Sequence, residues 1–138
     1  MANVRQQQAS ARRLARQAAR TARDRHSTDI VVLDLRGISP VTDYFVIFTG
    51  TSDRQMRAVA DEILELGAKS GQAAMNVSGM NSAKWILLDF FDVVVHIFDD
   101  EYRKYYDLEL IWGDAPRLNW QRSSRRASGP GEGEEDES

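Results

Sequence analysis

The stretch Trp85–Gly113, WILLDFFDVVVHIFDDEYRKYYDLELIWG, decides the fold of this 138-residue chain. It holds two apolar runs, Trp85–Leu88 and Val93–Phe98, separated by only the four residues 89–92. Short apolar runs rich in β-branched and aromatic residues indicate buried strands, and a short connection between two of them indicates an antiparallel hairpin. We therefore predict that residues 84–89 and 92–98 form a hairpin at the core of a sheet.

The segment after this hairpin is aromatic and acidic. Residues 85–114 contain eight acids and two bases, a balance of −6, and carry Tyr102, Tyr105, Tyr106 and Trp112. An acidic surface repels nucleic acid and attracts a basic partner. Exposed aromatic side chains beside acids are typical of a contact surface. The composition thus predicts a surface that binds a basic protein.

The tip of the hairpin adds two phenylalanines between two acids. We expect Asp89 and Asp92 to cap the backbone of the turn, which is a common role for aspartate at such positions. Residues at the tip of a hairpin usually lie outside the core of the domain, so we expect both Phe90 and Phe91 to extend the contact surface.

The chain upstream of the hairpin supplies the rest of a small domain. Residues 29–36 and 43–49 read as buried strands, residues 73–77 as a short strand, and residues 3–25 as a helix with a thin apolar stripe. Ser52 and Gln55 form a capping-box pattern that opens a second helix, which Gly67 or Gly71 can end. With helical turns over residues 99–106 and 108–112, the order is α-β-β-α-β-β-β-α. This order predicts an α/β (α+β) fold, a small mixed β-sheet flanked by helices.

Charge divides the chain into three parts. Residues 1–28 form an Arg/Ala-rich segment with seven Arg against one acid, and residues 29–116 form the acidic domain. Core-forming residues become sparse from Arg117, so we predict that residues 117–138 are a disordered tail. The Arg-rich start resembles an organellar transit peptide. However, its apolar stripe runs almost directly into the first strand, which favours a helix that packs on the sheet.

Several kinds of chemistry are excluded or weakened. The chain has no cysteine, which excludes disulfides and thiolate chemistry and agrees with a cytoplasmic setting. His96 lies alone in an apolar strand, where a core or interface histidine is the usual interpretation. Gly50–Asp53 follows a strand and opens a helix, where phosphate often binds, but it lacks the P-loop and GxGxxG patterns. Two carboxylates two residues apart on one strand, as nucleotidyltransferases need for magnesium, are not found.

Several motifs in order resemble one family, the ribosomal silencing factor S family, also called Iojap-like proteins. The resemblance covers residues 29–116 and rests on these residues: Asp34–Gly37, Thr42–Phe45, Thr49–Ser52, Trp85–Asp89, Asp92–His96, Arg103–Glu109 and Ile111–Asp114. It implies a nucleotidyltransferase-like topology without the catalytic acids. It also implies a protein that is not an enzyme and needs no cofactor or metal.

The resemblance further implies a function and a site. Family members bind the large ribosomal subunit through its fourteenth ribosomal protein, which is basic, and block association with the small subunit, so that translation is repressed. Free members often form homodimers. The implied contact residues are Trp85, Asp89 and Tyr106, with Leu88, Leu110 and Trp112 as neighbours. We add Phe91 at the hairpin tip as a candidate, which either contacts the partner or shields the turn. The Arg-rich segment lies outside the resemblance, and we expect it to contact ribosomal RNA. A nucleotidyltransferase-like phosphate-binding enzyme and an adaptor in large-subunit assembly are the alternatives.

One residue departs from the family. The turn between Asp89 and Asp92 commonly carries Gly at its second central position, and this chain has Phe91 there. Because Phe rarely adopts a positive φ, we expect a different turn type here.

Overall fold

The computed structural model describes residues 4–107 and 112–121. Within these residues the elements follow the predicted order: α1 Val4–Asp24, β1 Thr28–Asp34, β2 Tyr44–Thr49, α2 Asp53–Lys69, β3 Asn76–Ser78, β4 Trp85–Asp89, β5 Val93–Phe98 and α3 Asp100–Tyr105. Of the predicted helical turns over residues 108–112, residues 108–111 lie outside the described residues.

The five strands form one mixed sheet in the order β1-β2-β5-β4-β3. The pair β2–β5 is parallel, and the other three pairs are antiparallel. The predicted hairpin is β4–β5, in which Trp85 lies opposite Phe98 and Asp89 opposite Val94. The prediction of a small mixed sheet flanked by helices is confirmed, and β5 lies at the centre of the sheet.

The first face of the sheet is covered by α1 and α2. The predicted stripe of α1 is buried, and its small side chains let the helix approach the strands closely: Ala11, Leu14, Ala15, Ala18 and Ala22. The apolar face of α2 packs into the same core: Met56, Val59, Ala60 and Ile63. The alternate residues of β4 and β5 point into this core, since successive side chains of a strand face opposite sides of the sheet. They include Ile86, Leu88, Val95 and Ile97.

The predicted capping box opens α2. The Ser52 side chain accepts a hydrogen bond from the Gln55 backbone N–H at 3.0 Å. The Gln55 side chain reaches back to the Thr51 N–H, one residue before the cap, and also donates to the Arg25 carbonyl and the Ser27 hydroxyl. Gln55 therefore ties the start of α2 to the end of α1.

The hairpin tip differs from its predictions in two ways. Phe90 is 4% exposed and packs in the core between the sheet and the helices α1 and α2, where its ring contacts α2 at Gly67. The expectation that Phe90 extends the surface is therefore wrong. Phe91 has a φ of 81°, so the turn keeps the positive φ that usually calls for glycine, and the expected change away from a positive φ is also wrong. The Asp89 carboxylate accepts from the Phe91 N–H at 2.8 Å, as predicted for a turn cap.

Residues 117–121, which we expected to begin the tail, pack against the domain. Arg117 pairs with Leu33 as a β-bridge, and the Leu118 N–H donates to the Val32 carbonyl. Trp120 is 8% exposed and belongs to the core between the sheet and the helices α1 and α2. Its carbonyl accepts a hydrogen bond from the Arg20 side chain at 2.9 Å. The part of the chain that packs on the domain thus extends at least to residue 121. The division of the chain into residues 1–28, 29–116 and 117–138 otherwise stays a prediction.

Among the described residues, no helix has both the length and the apolar character needed to cross a membrane.

Candidate functional site

The second face of the sheet carries the predicted site residues of β4. Trp85, Leu87 and Asp89 alternate with Ile86 and Leu88, and the first three are half-buried while the other two are fully buried. Leu88 is 0% exposed and points toward α2, so it cannot contact a partner. The residue on the site face is Leu87. The alternation of side chains along a strand already indicates that Leu87 and Leu88 face opposite sides of the sheet.

Aromatic rings continue this face across the sheet. The Trp85 ring lies 5.0 Å from the ring of Tyr106, which follows α3, and 5.0 Å from that of Phe98. On the far side, Phe45 of β2 has its ring 6.0 Å from that of Trp112. We select five partly exposed residues of this face and call them the aromatic surface: Phe45, Trp85, Leu87, Tyr106 and Trp112. The structure therefore brings together the predicted residues Trp85, Tyr106 and Trp112.

Phe45 is a member of this surface that the sequence did not identify. It precedes the hairpin by 40 residues and reaches the site because β2 pairs in parallel with β5, with Phe45 opposite Val94. A parallel partner strand is joined through a long crossover and has no local sequence signal. Only the alternation within β2 indicates which of its residues share one face.

His96 lies beneath the aromatic surface and holds it in place. Its Nδ1 accepts a hydrogen bond from the Trp85 indole Nε1–H at 3.1 Å, so the ring proton lies on Nε2. The rings of Phe45 and Phe98 lie 4.5 and 6.2 Å from the imidazole. Burial lowers the pKa of His96 to about 4, so the side chain is neutral near pH 7. The predicted role as a buried histidine is confirmed.

The short helix α3 positions Tyr106. Asp99 caps the helix by accepting from the Tyr102 N–H at 2.7 Å, and Arg103 donates to the Thr49 hydroxyl at 3.0 Å. The Tyr106 N–H then closes the helix on the Tyr102 carbonyl. An open hollow of about 460 Å³ is lined by α3 and by Tyr105 and Tyr106. Tyr105 is 78% exposed and Tyr106 is 37% exposed, so both rings are accessible to a partner.

Part of the acidic charge around the surface is already paired. Lys84 lies 3.8 Å from Asp99, and Lys104 lies 3.5 Å from Asp100. Such exposed pairs are weak and leave the excess of acids largely unchanged. Asp89 is half-buried on the same face as Trp85 and Leu87. Asp89 therefore places one carboxylate at the border of the aromatic surface, at the end of β4 nearest the hairpin tip.

Phe91 and Leu110 are the other two predicted site residues. Phe91 is 60% exposed at the hairpin tip, beyond Asp89 and away from the ring cluster. Leu110 lies outside the described residues.

The phosphate hypothesis for Gly50–Asp53 is weakened by the hydrogen bonds of this turn. The Gly50 N–H donates to the Phe98 carbonyl at 2.8 Å, and the Thr51 N–H donates to the Gln55 side chain at 3.0 Å. A Cβ at Gly50 would lie 2.1 Å from the Met56 side chain, so packing alone explains the glycine. Over residues 4–107 and 112–121, no group of three or more His, Asp or Glu is arranged to hold a metal ion.

The fold and this face define an α+β domain that presents an aromatic surface with the Asp89 carboxylate at its border. A family model described as "Ribosomal silencing factor during starvation" matches residues 8–138. The ribosomal silencing factor RsfS of Bacillus subtilis (strain 168) is 46% identical over 99 residues, which are 72% of this chain and 84% of that protein. This chain belongs to the ribosomal silencing factor family.

A more distant relative and a solved structure agree with this membership. The mouse protein named "Mitochondrial assembly of ribosomal large subunit protein 1" is 29% identical over 93 residues, 65% of this chain and 41% of that protein. A crystal structure of a protein from Chromobacterium violaceum superposes with a TM-score of 0.69 at 27% identity, covering 84% of this chain and 96% of that one.

Proposed function

We propose that this protein is a cytoplasmic, non-enzymatic silencing factor that binds the large ribosomal subunit through its fourteenth ribosomal protein. Bound there, it sterically blocks association with the small subunit and so represses translation. Family membership supports the ribosome as the target. The observation that carries the choice of surface is the partly exposed Trp85–Tyr106 ring pair, 5.0 Å apart on a sheet face that neither α1 nor α2 covers.

The chemistry of the surface fits a basic protein partner. Aromatic side chains supply large contact areas and are enriched among the residues that dominate binding energy. The acids along residues 85–114 attract a partner of opposite charge and speed its association.

Substitution of Tyr106 by Ala tests this surface. The ring is 37% exposed and packs on Trp85, so its loss removes contact area without opening the core. We expect large-subunit binding, measured by co-sedimentation, to weaken by about 2 kcal/mol, or roughly 30-fold. We also expect the variant to lose inhibition of subunit joining in a sucrose gradient.

The matched control is Val77→Ala, because Val77 is 38% exposed but lies on β3 opposite Leu88, on the first face of the sheet. This control should bind like the unmodified protein. Full binding by Tyr106→Ala would contradict the choice of surface. Failure of the unmodified protein to bind large subunits would contradict the function. A preference for immature particles over finished large subunits would favour the assembly adaptor instead.

Two further partners remain proposals. Arg13 and Arg23 are exposed on α1, and the helix is strongly basic, which supports a contact to ribosomal RNA. A homodimer of the free protein is supported by the exposed aromatic surface, since such patches tend to be covered in solution.

A further inference from the structure

One end of the sheet carries three exposed apolar side chains, which we call the end ridge. They are more than half exposed: Val41 at 75%, Met75 at 66% and Phe91 at 60%. Two hydrogen bonds place the backbones of their segments beside the hairpin tip. The Asp43 N–H donates to the Asp92 carbonyl at 3.0 Å, and the Met75 N–H donates to the Asp89 carbonyl at 2.7 Å. The segments of Val41 and Met75 therefore flank the turn of Phe91 on its two sides.

The turn of Phe91 is strained, and the packing of the Phe91 side chain does not offset this strain. Its φ is 81°, and the Asp92 N–H donates to the Phe90 carbonyl at 3.0 Å across it, the pattern of a γ-turn with positive φ at its centre. This turn is rare and strained for a residue with a Cβ, and glycine would adopt it more easily. Because the Phe91 ring is mostly exposed, the fold gains little from it. Strain that the fold does not explain points to a function for the side chain.

The surroundings of the ridge describe the partner. The Asp43 and Asp92 backbones are hydrogen bonded, and both side chains are half-buried. Burial and the neighbouring Asp43 raise the pKa of Asp92, which means that a positive charge placed here would be favourable. The nearby Arg36 guanidinium is held by Asp34 through bonds of 2.9 and 2.7 Å and also interacts electrostatically with Asp43.

An open cleft beside Phe91 gives room for a partner side chain. It has a volume of about 550 Å³ and lies between the hairpin tip, the connection from α2 to β3 and the start of α1. Its walls combine the apolar Met75 and Phe91 with polar side chains such as Gln72. A segment that carries an apolar side chain next to a Lys or Arg fits this combination.

We propose that the end ridge is a second docking surface for the basic protein partner on the large subunit, with an apolar side chain against Phe91 and a cation beside Asp43 and Asp92. The inference rests on the proposed function, since it assigns the same partner. The geometry allows one partner to reach both surfaces. Trp85 and Asp89 lie on one face of β4, about 13 Å apart at the usual rise per strand residue.

Phe91→Gly tests the ridge because stability and binding should change in opposite directions. Removing the strained Cβ should raise the melting temperature of the full chain by about 3 °C. Removing the ring should weaken co-sedimentation with purified large subunits about 10-fold. Met75→Ala, in an unstrained position, should weaken binding several-fold at an unchanged melting temperature.

The matched control is His26→Gly, because His26 is also exposed and has a φ of 70°, but lies at the end of α1. It should raise the melting temperature and leave binding unchanged. If Phe91→Gly binds like the unmodified protein while Tyr106→Ala does not, the ridge is overturned and the proposed function stands. A lower melting temperature for Phe91→Gly would assign Phe91 a structural role and also overturn the ridge. No binding by the unmodified protein would overturn both.

Discussion

His96 is the residue on which the order of the aromatic surface depends. Its Nδ1 can accept the Trp85 indole proton only while the imidazole is neutral. A proton on Nδ1 would remove that acceptor and place a charge in an apolar site that is 4% exposed. The Phe45, Trp85 and Phe98 rings that face the imidazole offer no carboxylate to compensate it. Protonation should therefore loosen the surface as well as destabilise the fold.

We predict that the free energy of unfolding falls as the pH drops below about 6.5. The folded pKa of His96 is about 4, whereas an unfolded histidine has a pKa near 6.5, so the unfolded chain binds more protons between these values. The stability contributed by neutral His96 is full above pH 6.5 and lost toward pH 4. Between pH 6.5 and 5 the loss should be about 2 kcal/mol in urea titrations.

Two variants isolate this effect, because the chain has only two histidines. His96→Leu should flatten the pH dependence between pH 6.5 and 5, although it lowers stability at pH 7 by leaving the Trp85 N–H without its acceptor. His26→Gln, at an exposed position, should keep the full dependence. An equal slope in His96→Leu and the unmodified chain would show that another group titrates.

At the scale of elements, α2 and the β4–β5 hairpin fit together at a single glycine. Gly67 lies inside α2, where glycine is normally a poor residue. A Cβ there would lie 2.5 Å from the Phe90 ring and 2.6 Å from the Gln72 carbonyl oxygen. The glycine therefore allows the hairpin tip to insert Phe90 against the helix. The sequence suggests Gly67 or Gly71 as the helix end; α2 continues to Lys69, so the glycine that follows the helix is Gly71, with a φ of 78°.

We predict that Gly67→Ala destabilises the protein by about 2 kcal/mol, although alanine favours an exposed helix by about 1 kcal/mol. The reason is overpacking against Phe90 and the backbone at Gln72. The measurement is a double-mutant cycle in which Gly67→Ala is made with and without Phe90→Leu. The smaller Leu should relieve part of the loss, which gives a coupling energy above about 0.5 kcal/mol. Additive effects would contradict the proposed contact.

The elements themselves could be predicted from the sequence, because local patterns determine them. The hairpin, the cap at Ser52 and the α1 stripe all follow from spacing of apolar residues and from turn chemistry. The placement of Phe90, Phe45 and Trp120 could not be predicted, because each depends on a partner distant in sequence: Gly67, the parallel β5, and α1. Leu88 is implied as a contact residue only by the family resemblance, whereas the alternation along β4 places Leu87 on the aromatic surface and Leu88 in the core.

The whole molecule is a sheet whose two faces are used differently. The first face is buried under α1 and α2 and supplies most of the fully buried residues. The second face has a smaller core, packed by Phe45, Trp85, Tyr102 and Trp112, which remain partly exposed. The first face therefore carries most of the stability, and the second face carries the surface for which we propose partner binding. This separation lets the aromatic surface consist of large, partly exposed apolar side chains while the other face keeps the domain folded.

Adjacent leucines of β4 test this separation, since Leu87 faces the aromatic surface and Leu88 faces α2. Leu88→Ala should lower the free energy of unfolding by about 3 kcal/mol, because it opens a cavity in a fully buried site. The folded fraction of this variant should still bind large subunits normally. Leu87→Ala should change stability by less than about 1 kcal/mol and weaken binding several-fold. Urea unfolding and co-sedimentation on the same preparations give both quantities. If both variants lose stability and binding in the same proportion, the two faces are coupled, and binding depends on the stability of the whole sheet.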